Sequence, residues 1–372
     1  MARMPDSFLD CVVTSPPYYG LRSYGTEPQI WGGDEFCDHV WGEAIKYAKE
    51  DKRTPEQKAS QGATVGNSVN SIGFAVGDSG NFCQLCTAWR GELGLEPTFQ
   101  LYISHLIDIF REVKRVLKPT GTVWVNLGDS FVGGKGQSGG ASPERQAERN
   151  RNGESLNKAH QQLTSFGTTR PTDGKQSVRP KSLMNIPSRF AIAMTDELQF
   201  IQRNNIIWHK PACMPSSAKD RFTVDFENIF FFTKEPKYWF EQQLEAFQSS
   251  ASEIARQYSD GFKGTDYATN KKYSGGVGYG QDGRNMRTTW TVNFEPSGEE
   301  HYASYPTRLI EIPIKAGCPE GGIVYDPFGG TATTAVTAHK LGRQWICSEL
   351  QPKYAKIANK RLEPYLMQES LF

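Results

Sequence analysis

Four consecutive residues near the start of the chain, Ser15-Pro16-Pro17-Tyr18, combine a hydroxyl, two rigid prolines and an aromatic ring. They directly follow the apolar residues 9–13, which predict a buried strand. The two prolines remove two backbone donors and fix two φ angles, so the carbonyl groups of this stretch have no helix to bond to. Pro16 also holds Ser15 in an extended conformation. Such a stiff loop at a strand end is suited to gripping a ligand; the alternative is an ordinary turn.

A second group of candidate residues lies near the other end of the chain. A predicted strand ends at Asp326, turns through Pro327-Phe328-Gly329-Gly330 and enters a predicted helix at Thr331, and the next strand is expected to end at Glu349. Glycines let a ligand approach the backbone and the helix N-terminus. An acidic residue at the end of the next strand is well placed to bind ribose hydroxyls, as in nucleotide-binding α/β folds. Alone, this pattern is weak, because many α/β folds carry a Gly-rich turn.

Two short cysteine motifs predict a metal site. Cys37 and His39 form a Cys-x-His pair, and Cys83 and Cys86 form a Cys-x-x-Cys pair. Together they make a Cys₃His set, which is complete for tetrahedral zinc and leaves no open position, so the zinc would be structural. The alternative is ordinary buried thiols and a surface histidine. The other cysteines lie in apolar stretches and are expected to pack in the interior: Cys11, Cys213, Cys318 and Cys347.

The elements that must position these residues alternate between helix and strand. The clearest helix covers residues 99–117, whose apolar positions fall on one face. Further helices are predicted at 182–194, 307–316, 331–341 and 352–362, and further strands at 122–127, 204–209, 227–233, 322–325 and 344–348. Helices alternating with buried strands predict an α/β fold with a doubly wound, mostly parallel sheet.

Three polar stretches, 37–90, 132–180 and 248–296, interrupt this pattern and are expected to be insertions. The intervening segments 1–36, 91–131, 181–247 and 297–372 are expected to form one domain. Residues 132–180 contain eight Lys or Arg against four acidic residues, a formal charge of +4. Either these stretches are plain surface loops, or they order on a polyanion, with Arg and Lys on phosphates and Asn, Gln and Arg on base edges.

Bulk composition bounds the class of protein. The 372 residues include 42 Lys or Arg and 41 Asp or Glu, so any nucleic-acid-binding surface must be local. No apolar run approaches the roughly 18 residues of a membrane span, and no signal peptide opens the chain. An odd number of cysteines, seven, favours reduced thiols or metal ligation over a disulfide framework. We therefore expect a soluble, cytoplasmic protein without a membrane partner.

In combination, the two loops make the chain similar to the S-adenosylmethionine-dependent DNA amino-methyltransferases, which methylate the exocyclic amine of cytosine or adenine. The family's catalytic loop has Asp, Asn or Ser before Pro-Pro and an aromatic residue, which matches Ser15 to Tyr18. Its Asp-Pro-Phe-x-Gly-x-Gly cofactor loop matches residues 326–332, except that Ala332 replaces the last glycine. The catalytic loop comes first, as in the β class. The resemblance covers roughly half of the chain and leaves out the three insertions.

The resemblance implies a Rossmann-like methyltransferase fold with inserted DNA-recognition segments at 132–180 and 248–296, a double-stranded DNA substrate and S-adenosylmethionine as cofactor. The Ser15 hydroxyl and the Pro16 carbonyl would accept hydrogen bonds from the two N–H groups of the amine and so free the nitrogen lone pair. Pro17 and Tyr18 would complete the catalytic loop. Tyr18 would stack on the base, which has left the duplex. The cofactor-binding residues implied are Asp326, Pro327, Phe328, Gly330, Thr331 and Glu349.

Serine before Pro-Pro resembles the cytosine-N4 branch more than the adenine-N6 branch, so cytosine is favoured and adenine N6 is the first alternative. One departure supports a second alternative. The Gly-Asp strand that precedes the catalytic strand in the β class is missing, so either the start site lies upstream or the chain is a truncated, weakly active or non-catalytic DNA-binding relic. A third alternative is methylation of RNA or of a protein amide. A homodimer and a cognate restriction nuclease are both left open.

Overall fold

The computed structural model describes residues 1, 3–41, 81–132, 178–179, 181–246, 264–265, 272–273, 284–294 and 305–369. Most of the expected DNA-recognition segments, 132–180 and 248–296, lie outside these ranges, and their role stays a prediction.

The described residues form strands and helices that alternate along much of the chain. The strands are β1 Leu9–Thr14, β2 Gln29–Trp31, β3 Trp89–Gly91, β4 Leu117–Leu127, β5 Ile201–His209, β6 Phe226–Thr233, β7 Leu244–Glu245, β8 Gly264–Thr265, β9 Lys272–Tyr273, β10 Arg284–Asn285, β11 Thr289–Thr291, β12 Ile323–Asp326 and β13 Gln344–Cys347. The helices are α1 Phe99–Val116, α2 Ile186–Asp196, α3 Thr307–Gly317, α4 Thr333–Lys340 and α5 Pro352–Glu369.

Seven strands form the central sheet, in the order β11-β5-β6-β4-β1-β12-β13. The neighbours β4–β1, β1–β12, β12–β13 and β11–β5 are parallel, whereas β6 runs antiparallel to both β4 and β5. The predicted α/β fold with a doubly wound, mostly parallel sheet is therefore confirmed. Within the described ranges, no helix is both long and apolar enough to cross a membrane.

Helices cover both faces of this sheet, as the side-chain alternation along β4 shows. Val123 and Val125 pack into the core that contains α1 and α2, while Trp124 between them packs into the core that contains α3. Successive strand residues point to opposite faces, so one apolar run supplies both cores. The first helix, α1, starts at the N-cap Thr98, whose side chain accepts from the Leu101 N–H.

The parallel register of β1 and β12 determines where the two candidate loops meet. Cys11 pairs with Val324 and Val12 pairs with Tyr325, so both strands end at the same edge of the sheet. There the Thr14 hydroxyl donates to the Asp326 carboxylate over 2.6 Å. Ligands of open α/β sheets bind outside the carboxyl ends of the strands, which is where the residues after Thr14 and Asp326 lie.

The structure corrects two element boundaries and one insertion. β4 begins at Leu117, so the Lys-Pro-Thr-Gly segment that was expected to separate helix from strand is itself part of the strand. The second helix begins at Ile186 rather than 182, because Asn185 has a left-handed φ of 57°. The expected insertion 248–296 contains β11, which pairs with β5 at the edge of the central sheet and buries Trp290.

Candidate active site

Two hydrogen bonds hold the loop Ser15–Tyr18 and the residues directly after it at the carboxyl end of β1. The Tyr102 hydroxyl of α1 donates to the Pro17 carbonyl over 2.7 Å, and the Gly20 N–H donates to the Gly94 carbonyl over 2.8 Å. The Pro17 carbonyl is therefore used by the fold.

Ser15 lies beside Asn126, near the end of β4. The Ser15 Oγ is 3.4 Å from the Asn126 Oδ1. The amide nitrogen of Asn126 donates to Glu227 and to the Asn228 carbonyl, at 3.1 and 3.2 Å, which turns the Oδ1 towards Ser15. An amide oxygen can only accept. The Ser15 hydroxyl therefore donates to Asn126, and its own lone pairs are left to accept from a further donor.

Tyr18 joins the polar side chains around Ser15 by a hydrogen bond to Glu227 of β6. The Tyr18 hydroxyl donates to the Glu227 Oε2 over 2.7 Å, and Lys210 donates to the Glu227 Oε1 over 2.6 Å. Burial, and next the negative charge of Glu227, raise the pKa of Tyr18 well above its ordinary value of 10.0. The phenol thus stays neutral at physiological pH. Lys210 is thus paired with Glu227.

The ring of Tyr18 packs directly on the backbone of Gly128. A Cβ atom on Gly128 would lie 2.8 Å from the Tyr18 Cδ2, closer than a real contact allows. Residue 128 must therefore lack a side chain for the ring to keep this position.

The Gly-rich loop after β12 is tied to the loop after β13 by Glu349. The Gly330 N–H donates to Glu349 Oε2 over 2.8 Å and the Gln351 N–H donates to Glu349 Oε1 over 2.7 Å. Burial raises the pKa of Glu349 above its ordinary value of 4.5. Glu349 itself lies two residues beyond the end of β13 rather than at the end of the strand.

Ala332, which stands where the related loops often have glycine, adopts a left-handed φ of 65°. An alanine in this conformation costs roughly 1–2 kcal/mol relative to a right-handed one. The loop therefore keeps the backbone shape that glycine favours, even though the glycine is absent.

Asp326 and Thr331 lie behind the loop and support its shape. The buried Asp326 carboxylate accepts from Thr14 and Thr334, each over 2.6 Å, and from Tyr305 and the Phe328 N–H, each over 3.0 Å. Burial raises the pKa of Asp326, and these donors oppose the rise. Arg361 donates to the Thr331 carbonyl and hydroxyl at 2.8 and 2.9 Å. Neither residue lines the cavity described next.

One cavity joins the two loops. Its wall includes Ser15 and Pro17 from the first loop and Pro327, Phe328, Gly330 and Glu349 from the second. The remaining wall residues are Tyr24, Thr26, Gln29, Trp31, Glu92, Leu93, Ser348, Leu350 and Tyr354. Ser15 therefore lines the same cavity as the Gly-rich loop.

The structure also gathers residues that sequence patterns did not single out. Asn126 and Glu227 complete the polar group around Ser15, and the aromatic residues Tyr24 and Tyr354 line the cavity. A polar Asn126 inside the apolar run of β4 was the one local signal available. Asp129, two residues after β4, accepts from the Ile186 N–H at 3.1 Å and so caps α2.

The four predicted metal ligands also come together. One ligand atom from each of Cys37, His39, Cys83 and Cys86 lies within 4.8 Å of the other three. The other cysteines divide: Cys11 and Cys318 are buried as expected, while Cys213 and Cys347 are partly exposed.

Comparison with known proteins agrees with this geometry. Residues 9–360 match the N6_N4_Mtase family, described as DNA methylase. The chain is 30% identical over 363 residues to the Type II methyltransferase M.Cfr9I of Citrobacter freundii, covering 98% of this chain and 84% of that protein. It is 28% identical over 359 residues to the Type II methyltransferase M.SmaI of Serratia marcescens, covering 96% and 86%.

A solved structure shares the fold. The PvuII DNA methyltransferase (cytosine-N4-specific) superposes with a TM-score of 0.50 at 14% sequence identity, covering 97% of this chain and 81% of that one. The family match extends from β1, through the Ser-Pro-Pro-Tyr loop, to α5, beyond the Gly-rich loop. The chain therefore belongs to the N6/N4 DNA methylase family and is an S-adenosylmethionine-dependent DNA amino-methyltransferase.

Proposed function

We propose that the cavity between the two loops brings the methyl donor together with the exocyclic amine of a base extruded from duplex DNA, and that the preferred amine is cytosine N4. The observation that carries this proposal is that Ser15 and Pro17 line the same cavity as Phe328 and Glu349. An acceptor for the amine thus lies beside the Gly-rich loop without any rearrangement of the backbone.

The residues present fit S-adenosylmethionine as the bound cofactor. One side of the bound cofactor would be lined by Pro327, Phe328 and Gly330. The Glu349 carboxylate is held where it can accept hydrogen bonds from ribose hydroxyls. Asp326 and Thr331 would act indirectly, by keeping the loop in shape. When bound, the cofactor supplies an electrophilic methyl group on a positively charged sulfur.

Ser15 and Pro16 address the weakness of an exocyclic amine as a nucleophile, which is that its lone pair is delocalised into the base ring. Ser15 Oγ and the Pro16 carbonyl would accept hydrogen bonds from the two N–H groups of the amine. These bonds would pull the nitrogen towards tetrahedral geometry and free its lone pair. Asn126 fixes the Ser15 hydroxyl proton on the opposite side, so that the acceptor lone pairs face the amine. Positioning of this kind can supply much of a rate acceleration.

The amine must also lose a proton once it has gained the methyl group. As Ser15 Oγ takes up this proton, its own hydroxyl proton would turn from Asn126 to the Tyr18 hydroxyl, 3.5 Å away, and the Tyr18 proton would pass to Glu227. We assign Glu227 as the acceptor at the end of this chain of hydroxyls, with Lys210 stabilising its negative charge. Tyr18 keeps its proton except during transfer, because its pKa is raised.

The base must leave the duplex, because an amine inside paired DNA cannot enter a pocket at the carboxyl end of β1. Tyr18 supplies an aromatic face for the extruded base, and stacking of this kind is worth about 1–3 kcal/mol. We favour cytosine over adenine because the residue before Pro-Pro is Ser15, and serine at this position resembles the cytosine-N4 branch of the family.

Residues 132–180, with their excess of basic side chains, are proposed to contact the DNA.

The names of the related proteins M.Cfr9I and M.SmaI, both Type II methyltransferases, favour a role in a restriction-modification system. On this basis we propose a cognate nuclease as a partner in the cell. A homodimer remains a second proposal, testable by light scattering.

The Ser15→Ala variant tests the role of the first loop. It should lower the methyl-transfer rate about a hundredfold, in line with the loss of one preorganised hydrogen-bonding group in an active site, and leave the dissociation constant for S-adenosylmethionine within about twofold. Ser182→Ala, on an exposed hydroxyl that donates to the neighbouring Leu183 carbonyl, is the matched control. Wild-type turnover in Ser15→Ala would remove the assignment.

A further inference from the structure

A cluster of three thiols and one imidazole lies outside the reaction described above. It joins the segment after β2, which carries Cys37 and His39, to the segment before β3, which carries Cys83 and Cys86. None of the four side chains lines the cofactor cavity. The cluster therefore needs an explanation of its own.

Two distances within the cluster match tetrahedral metal coordination, and all four ligand atoms lie within 4.8 Å of one another. Zinc–sulfur bonds of about 2.3 Å and zinc–nitrogen bonds of about 2.0 Å set two sulfurs about 3.8 Å apart and a sulfur and a nitrogen about 3.5 Å apart. The Cys37 and Cys83 sulfurs are 3.8 Å apart, and the Cys86 sulfur is 3.3 Å from the His39 Nδ1. A disulfide would need a sulfur–sulfur distance near 2.05 Å, so the observed spacing is that of ligands around a shared centre.

The backbone around the Cys-x-x-Cys pair is folded to present its sulfurs. The Leu85 N–H donates to the Cys83 sulfur over 3.4 Å, and the Thr87 N–H donates to the Cys83 carbonyl over 3.1 Å. An N–H bond to a sulfur stabilises its thiolate form, which is the form that binds a metal. Gly33 packs so close that a Cβ on it would lie 2.7 Å from the Cys86 sulfur.

This cluster is continuous with one wall of the cofactor cavity. The Cys83 N–H donates to the Ala88 carbonyl over 2.8 Å, and β3, which starts at the next residue, pairs with β2. From these two strands and the residues after them, Gln29, Trp31 and Glu92 face the cavity. Glu92 also accepts from the Ser23 hydroxyl at 2.8 Å, which ties the segment before β2 to the same wall.

We propose that Cys37, His39, Cys83 and Cys86 bind one structural zinc ion, and that this ion clamps the β2–β3 pair as a wall of the cofactor site. Four protein ligands complete the tetrahedron, so the ion has no open position for substrate and no part in the chemistry. The ion also closes the long chain segment between His39 and Cys83. The clamping role, unlike the metal site itself, rests on the proposed cofactor cavity.

Elemental analysis of the purified full-length chain tests the metal site without reference to activity. We expect close to one zinc per chain. Addition of a strong chelator should release that zinc and make three further thiols reactive towards Ellman's reagent. The double variant Cys83→Ser/Cys86→Ser should lose the zinc, whereas Cys213→Ser, which alters a thiol outside the cluster, should keep it.

A folded wild-type chain purified without zinc, with a thiol count that chelator does not change, would overturn the metal site. Iron or another metal in stoichiometric amount would overturn the identity of the ion. Calorimetry with S-adenosylmethionine separates the clamping role: chelated protein should bind about tenfold more weakly or worse, because displaced groups bind poorly. Unchanged affinity would overturn the clamp alone. Failure of the zinc-loaded protein to bind would count against the cofactor cavity and not against zinc.

Discussion

At the scale of single residues, Glu227 joins three side chains of the active site although it lies outside both sequence motifs. It accepts from Tyr18, from Lys210 and from the Asn126 amide, at 2.7, 2.6 and 3.1 Å. A single carboxylate therefore holds the aromatic ring and, through Asn126, the Ser15 hydroxyl. Its proposed second task is to take up the proton that the amine loses.

The Glu227→Gln variant separates these tasks because a glutamine keeps the shape but does not accept a proton. We expect a fall in the methyl-transfer rate of about 10²-fold or more, within the range for loss of a general base, with little change in the dissociation constant for cofactor. Single-turnover kinetics at saturating cofactor measures this directly. Near-wild-type rates would show that Glu227 only positions Tyr18.

Glu349 predicts a pH dependence of cofactor binding. Its pKa is raised above 4.5, mainly by burial, so the carboxylate takes up a proton at a higher pH than an exposed glutamate does. Cofactor affinity should be complete above this raised pKa and should fall as the pH drops through it, because a protonated carboxyl accepts ribose hydroxyls less well.

The matched variant for this prediction is Glu349→Gln, which does not titrate. It should bind cofactor more weakly than the wild type at neutral pH and show a flatter pH profile in calorimetry. Wild-type and variant profiles that run parallel into mildly acidic pH would contradict the role of this carboxylate.

At the scale of elements, the pair β1–β12 brings the two functional loops together, and the Thr14–Asp326 hydrogen bond links their ends. Thr14→Val removes the hydroxyl and keeps the side-chain shape, so that one donor to a buried carboxylate is lost. We expect the free energy of unfolding to fall by about 1–3 kcal/mol. Thr120→Val, on an exposed position of β4, should change it by less than about 0.5 kcal/mol. Denaturant titration measures both; equal effects would show that the link is unimportant.

Local patterns explain which elements could be predicted. The helix α1 follows from its apolar period and ends one residue earlier than predicted, and β4 follows from its apolar run but begins five residues earlier than predicted. The edge strand β11 was not predicted, because three residues around Trp290 give no period and their pairing with β5 is made across a long stretch of chain. The start of α2 depends on the left-handed Asn185, which polarity patterns do not reveal.

In the active site too, residues that are neighbours in the sequence could be predicted, and residues that only the fold brings together could not. Each of the two loops is a run of neighbouring residues, so its residue types are visible together in the sequence. Glu227 lies 209 residues from Tyr18, and Asn126 lies 111 residues from Ser15. Only the order and register of the strands bring these side chains together, and no local spacing encodes them. The indirect role of Asp326 was hidden for the same reason, since Tyr305 and Thr14 reach it from other elements.

At the scale of the whole molecule, the charge is nearly balanced, with a formal net charge of +1. Attraction to DNA must therefore come from local groups, and the basic stretch 132–180 is where we expect it. A chain that bound DNA but no cofactor would be a relic, and a chain that acted on RNA would have another substrate. Both alternatives differ from the present account in the product they would form.

The most direct test of the account is to incubate the full-length chain with isotopically labelled S-adenosylmethionine and unmethylated duplex DNA, with RNA of matching sequence in parallel, and to identify the labelled nucleoside by mass spectrometry. We predict N4-methylcytosine from the duplex and no labelled nucleoside from RNA. N6-methyladenine would contradict the choice of base while keeping the reaction. Label in RNA alone, or no labelled nucleoside from a folded chain that binds DNA, would contradict the central claim.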